Sequence, residues 1–286
     1  MKKHYKLSMA FFCVFCLAIN TESGGKLSPN QGSMDVKHYD LNLKVDPNKE
    51  IILGEVEITF ELLQNTPALE FDLIKKFSVS GASVNGMNLA FDHNGDKVYV
   101  DNPGFTLFVE HKIKIKYGGK PPIAKTPPWS GGFTWSKSED GNNWVGVTCQ
   151  SNGAHIWYPC KEHPSDKANG ADIRITVPDP LMVVSNGLLK STKKQKNRWT
   201  TWHWSTSYPI STYNINFTIG SFEVFDRTGY VLDSPIKMEL YVLPEKADGG
   251  LKLLEEAEEY LNFYASYFGQ YPWIEEKFGI CQVEFS

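Results

Sequence analysis

The sequence predicts a mainly β protein, a saddle-like antiparallel β-sandwich followed by one helix and one further strand. Short runs alternate apolar and polar residues, as in Val56, Ile58, Phe60 and Leu62, and again in Ile236, Met238, Leu240 and Val242. A period of two marks strands with one buried face. Turn-forming stretches separate the runs: Asp46-Pro47-Asn48, Asn85-Gly86, Asn94-Gly95, Asp101-Asn102-Pro103-Gly104 and Asn186-Gly187. Near Pro244 the period changes. Leu251, Leu254, Ala257, Leu261, Ala265 and Phe268 recur at steps of three and four, which is a helical face.

Taken in order, Lys2, Lys3 and Lys6 precede an apolar run from Leu7 to Ile19, and Asn20 to Gly25 then turn polar. A positive start and a run too short to span a bilayer comfortably have the form of a secretory signal peptide over residues 1–20. The chain is therefore expected to be exported, to the periplasm or the extracellular space, with no stable membrane span. Residues 21–34 read as a linker, Ser/Gly/Asn/Pro-rich from 26. The β domain spans 35–243. Its further strands are expected at Tyr39–Val45, Leu69–Leu73, Val98–Val100, Leu107–Val109, Ile113–Tyr117, Ile173–Val177 and Phe217–Ile219. A helix over about 245–268, ended by Gly269 with Pro272 beyond, and a strand over 278–285 complete the chain.

Composition limits the function. The 286 residues are 41% hydrophobic and 22% charged, the balance of a globular protein. The net charge of -4 leaves no basic excess to neutralise phosphates, so nucleic acid is not the expected partner. Beyond the signal, Cys149, Cys160 and Cys281 remain. Cys149 and Cys160 form one disulfide, or all three are buried thiols; spacing leaves both open.

A search for catalytic machinery returns little. No His is followed by Glu in an H-E-x-x-H pattern, and neither a G-x-S-x-G elbow nor a phosphate-binding P-loop occurs. His155 and His163 lie eight apart without a third ligand, so they read as hydrogen-bonded or surface histidines rather than a metal pair. Residues 118–168 are rich in Pro, Gly and Trp, including Trp129, Trp135, Trp144 and Trp157. Such a segment either frames a peptide or sugar cleft or closes one end of the sandwich.

Several stretches carry a family pattern. Trp157-Tyr158-Pro159-Cys160-Lys161-Glu162-His163-Pro164-Ser165-Asp166 resembles the W-x-P-x-x-D-x-P-S-D stretch of the aminopeptidase N family of zinc metallopeptidases. Trp129–Trp135, Val145–Gln150, Val177–Gly187, Ile210–Ile215 and Ile219–Phe222 are similar to flanking family segments, in the right order. The resemblance implies a saddle-shaped β domain and then, over 244–286, the first helix and strand of a thermolysin-like α/β catalytic domain. It implies zinc and a peptide substrate for the full-length parent. It implies no metal ligand and no catalytic residue in this chain, which stops before the exopeptidase and zinc motifs and is expected to be inactive alone. One site residue carries over. Gln150, nine places before Pro159, matches the family position that binds the substrate's free amine. Thr148 stands where the family often has a second Gln. Glu162 replaces the usual Asp and is expected to be structural, and Trp157 to be core. The alternative is a stand-alone peptide- or glycan-binding β-sandwich module.

Overall fold

The computed structural model describes residues 25–149 and 152–284. The signal-peptide reading therefore lies outside the described residues. After a helical turn, α1 (Pro29–Gly32), the chain forms strands β1 (Met34–Asp46), β2 (Ile51–Leu62), β3 (Ala68–Asp72), β4 (Phe77–Val84), β5 (Met87–Leu89) and β6 (Phe91–Asn94). Then come β7 (Lys97–Asp101), β8 (Glu110–Gly119), β9 (Gly132–Lys137), β10 (Asn143–Thr148), β11 (Gly170–Pro178) and β12 (Met182–Ser185). The rest are β13 (Leu188–Gln195), β14 (Trp199–Thr206), β15 (Phe217–Gly220), β16 (Glu223–Val231), β17 (Ser234–Val242), α2 (Gly250–Phe268) and β18 (Lys277–Cys281).

An eight-stranded sheet runs β13-β14-β11-β1-β2-β8-β4-β5. Its pairs are antiparallel except β1 with β11, which are parallel. A four-stranded sheet (β12-β15-β10-β9) and a three-stranded sheet (β3-β7-β6) complete the β domain. The period of two explains the packing. Val56, Ile58, Phe60 and Leu62 of β2, and Ile173, Ile175 and Val177 of β11, point into one core. The alternate residues face outward, where Glu55 and Glu57 pair with Lys114 (2.9 Å) and Lys112 (3.4 Å) across the sheet. Mostly β architecture is thus what the alternation predicted.

Two readings need correction. Leu107–Val109 is not a strand: Phe108 has φ of 57°, Val109 is exposed, and only Leu107 bridges to Leu62. Three alternating residues are too few to hold an extended run against a left-handed backbone. The stretch before β1, read as a tether, instead packs. Ser28 caps α1, and buried Gln31 donates to Asp72 Oδ2 at 2.6 Å.

The last elements have their own core. Strands β16-β17-β18 form a sheet, with β18 parallel to β17, and α2 lies on it. Val231, Ile236, Met238, Leu240 and Val242 bury against Leu254, Ala257 and Ala265, with Leu261 half-buried beside them. This core joins residues on both sides of position 243. The helix starts at Gly250, later than expected, after Leu243 to Gly249 form a short turn. The strand ends at Cys281, earlier than expected. Leu251 and Phe268 belong to the predicted helical face but are exposed, Phe268 by 82%. The periodicity found one buried face; a second stripe, Tyr260, Phe263, Tyr264, Tyr267 and Phe268, is also apolar and exposed. An exposed stripe of this size favours association. The 286-residue chain is expected to self-associate in sedimentation velocity, and Tyr264→Ser with Phe268→Ser to restore the monomer. A monomeric wild type at high concentration would contradict this.

A further charged cluster on the large sheet centres on Asp172. Asp172 on β11 is bonded by His38 Nε2 of β1 (3.0 Å) and His203 Nε2 of β14 (2.6 Å), and Arg174 lies 3.7 Å away. The bond from His38, then that from His203 and the Arg174 charge, hold its carboxyl well below the usual carboxylate range, outweighing the cost of burial. A depressed folded value gives stability that is present above the unfolded value of about 3.9 and lost as pH falls below it. Asp172→Asn is expected to cost about 1–2 kcal/mol at neutral pH, after discounting for partial exposure, and to flatten the acid limb of stability. Urea midpoints measured from neutral to acid pH test this; an unchanged acid limb would rule it out.

Candidate functional site

The predicted site residue, Gln150, lies with Ser151 outside the described residues. β10 ends at Thr148, and the carbonyl of Cys149 accepts from the N–H of Asn152 (3.2 Å) and of Gly153 (2.7 Å), closing a tight turn. A 3-10 turn, Ala154–Ile156, follows. Asn152 Oδ1 accepts from Gly131 N–H at 2.7 Å and ties the turn to the loop that carries Trp129. Gly153 has φ of 84°, and a Cβ there would stand 2.5 Å from the Glu162 carboxyl carbon, so only glycine fits.

Glu162 anchors this turn. Its carboxylate accepts from His155 N–H (2.9 Å), His155 Nδ1 (3.3 Å) and Thr212 Oγ1 (3.0 Å). Burial opposes its ionisation, but the bonds from His155 and Thr212 outweigh that cost and hold the carboxyl below its ordinary value. Glu162 also donates its backbone N–H to Asp72 Oδ2 at 3.0 Å. Lys161 is as deeply buried: Nζ donates to Met34 O (2.5 Å) and Asp166 Oδ2 (2.7 Å). Asp166 Oδ2 also accepts from Val36 N–H at 3.0 Å. Cys160 and Asp72 exchange backbone bonds of 2.7 and 3.1 Å. The motif from Trp157 to Asp166 is therefore an internal brace that fixes the turn against β1 and β3. A structural Glu162 and a core Trp157 are what the structure shows.

The cysteines are free thiols, so the disulfide alternative for Cys149 and Cys160 does not hold. Burial pushes Cys149 up to about 12 and Cys160 well above its ordinary value, which leaves both protonated and unreactive. His155 is occupied by Glu162, and His163 Nδ1 meets Ser165 Oγ at 2.7 Å, so the two do not converge on a metal. The tryptophans divide. Trp144 and Trp157 are buried in the core and Trp135 stacks on Phe133, closing the sandwich. Trp129 alone of these four is exposed, by 76%. The brace residues were visible as a motif, but their partners Met34, Val36, Asp72 and Thr212 carry no local signal, and neither does Asn152.

The profile of the Peptidase M1 N-terminal domain matches residues 35–214. The chain belongs to the peptidase M1 family. This M1 N-terminal portion is 22% identical over 274 residues to an aminopeptidase A of Gloydius brevicauda, covering 89% of this chain and 27% of that protein. It is 22% identical over 273 residues to a glutamyl aminopeptidase of Bitis rhinoceros, again over 27% of its length. The chain thus spans about a quarter of the curated relatives it matches. Its fold is that of an M1 zinc metallopeptidase from Deinococcus radiodurans, with a TM-score of 0.74 at 23% identity, over 89% of this chain and 57% of that one.

Proposed function

We propose that this chain is the substrate-facing N-terminal part of an exported zinc-dependent aminopeptidase that removes N-terminal residues from peptides. The M1 match over 35–214 carries the reading. The bonds that Asn152 and Gly153 donate to the Cys149 carbonyl, and the brace around Glu162, support it, because they fix the described residues that flank position 150. Gln150 would accept a hydrogen bond from the substrate's α-ammonium through its side-chain carbonyl. The charged start and apolar run of residues 1–20 support export. Residues 244–286 would open the thermolysin-like catalytic domain, and the aromatic stripe of α2 would be covered by the rest of it.

Zinc in such an enzyme needs two His and a Glu as ligands, with a second Glu as general base. Among the described residues no group of three His, Cys, Asp or Glu is placed to hold a metal ion, and the 286 residues contain no H-E-x-x-H. The residues present do not fit the ion. The contribution of this chain is to bind and orient peptide, and the chemistry would belong to the longer protein.

Expression of the whole reading frame that contains these residues tests the proposal. The product is expected to release N-terminal residues from aminoacyl amides, to lose that activity to a zinc chelator, and to regain it with added zinc. The chain of 286 residues is expected to lack both the activity and stoichiometric zinc. A frame that ends at Ser286 and yields a peptide or glycan binder without hydrolysis would favour a stand-alone module.

A further inference from the structure

A cavity of about 470 Å³ opens where the four-stranded sheet, the end of β14 and β18 meet. Lys277, the first residue of β18, lines it. Its side chain is 7% exposed, with Nζ 3.7 Å from the centre of the Trp204 ring. Nζ makes a 3.1 Å ion pair with Glu239 Oε2 and has no other polar partner, so at least two of its three donors remain. Glu239 is already engaged: it pairs with Lys237 and accepts from Tyr241 O–H at 2.6 Å. Two ammonium groups share the Glu239 carboxylate, which leaves one positive charge over in that trio; Lys167 and Glu276, of opposite charge, also line the cavity.

The other cavity groups have a matching bias. The Glu276 carboxylate is held by Ser207 N–H (2.7 Å), Ser207 Oγ (3.3 Å) and Thr206 Oγ1 (3.2 Å). Asn186 Oδ1 accepts from Asn216 N–H at 2.8 Å, which leaves the Asn186 amide nitrogen as a donor. Glu276 and Asn186 Oδ1 are thus engaged within the protein, while Lys277 and the Asn186 amide nitrogen keep donors. Tyr208, Tyr271 and Trp273 supply aromatic wall.

We propose that this cavity binds a small monocarboxylate with an apolar body, the carboxylate on Lys277 and Asn186 and the body against the aromatic wall. One surplus charge suits a monoanion, and a second negative charge would meet Glu276. Burial lowers the Lys277 pKa, more than the Glu239 charge raises it, and a bound anion would relieve that cost.

Calorimetric titration of the full chain with phenylacetate tests the site, with inorganic phosphate and phenethylammonium as comparisons. Phenylacetate is expected to bind at one site per chain, more tightly than either. Lys277→Met, which keeps the apolar stem, should weaken it about tenfold or more. Asn186→Asp keeps the acceptor for Asn216 and adds a negative charge, so it should weaken binding similarly at an unchanged melting temperature. It decides the matter should Lys277→Met fail to fold. No saturable phenylacetate binding, equal affinity in wild type and Asn186→Asp, or tighter binding of phosphate would each overturn the assignment.

Discussion

Asp166→Ala is expected to destabilise the chain by about 3–5 kcal/mol, a drop of about 10 °C or more in melting temperature. The reason is the ammonium it would abandon. Lys161 and Asp166 side chains are 6% and 8% exposed and 2.7 Å apart. Removing the carboxylate leaves a buried cation with only the Met34 carbonyl, and leaves Val36 N–H without its acceptor. Desolvation of an uncompensated charge costs far more than one hydrogen bond. The double variant Lys161→Met, Asp166→Ala removes that charge and should recover part of the loss. Thermal unfolding of the two variants checks this; a loss below about 1 kcal/mol in Asp166→Ala would show that water reaches the pair.

In the proposed longer enzyme, Gln150→Ala is expected to lower kcat/KM by about ten- to a hundredfold, the worth of a hydrogen bond from a charged donor. Zinc content and melting temperature should not change if the side chain acts on the amine alone, since the bonds of Gly131 to Asn152 and of His155 to Glu162 brace the flanking residues. Gln150→Glu should lose less, since it keeps an acceptor and adds charge. Kinetics on aminoacyl amides decide. A kcat/KM within about twofold of wild type would make the side chain structural, whereas a loss accompanied by a lower melting temperature would point to the turn rather than to the amine.

The candidate site was legible only in part. The proposal for Gln150 rests on its offset from Pro159 within a family motif, not on chemistry visible around it. The same motif marked Glu162 as structural and contains Asp166 without assigning it a role. It did not reveal that Lys161 shares their burial, since a lysine in a Pro-rich loop normally reads as solvent-exposed. The cavity beside Lys277 left no trace in the sequence, because its walls come from segments between Lys167 and Cys281 that share no period or motif.

Local order was readable because it depends on near neighbours. Residues two apart share a strand face, so the alternation of β2, β11 and β17 predicted their buried sides without knowledge of their partners. The change of period after Pro244 located α2 for the same reason. Which strands pair, and in what order, was not readable, since β1 and β11 pair in parallel with His38 opposite Gly170, far apart in sequence. One of the two acceptors of Lys161, the Met34 carbonyl, lies 127 residues earlier in the chain. Nothing near Lys161 signals it; the cost of burying a charge selects that partner only once packing has excluded water.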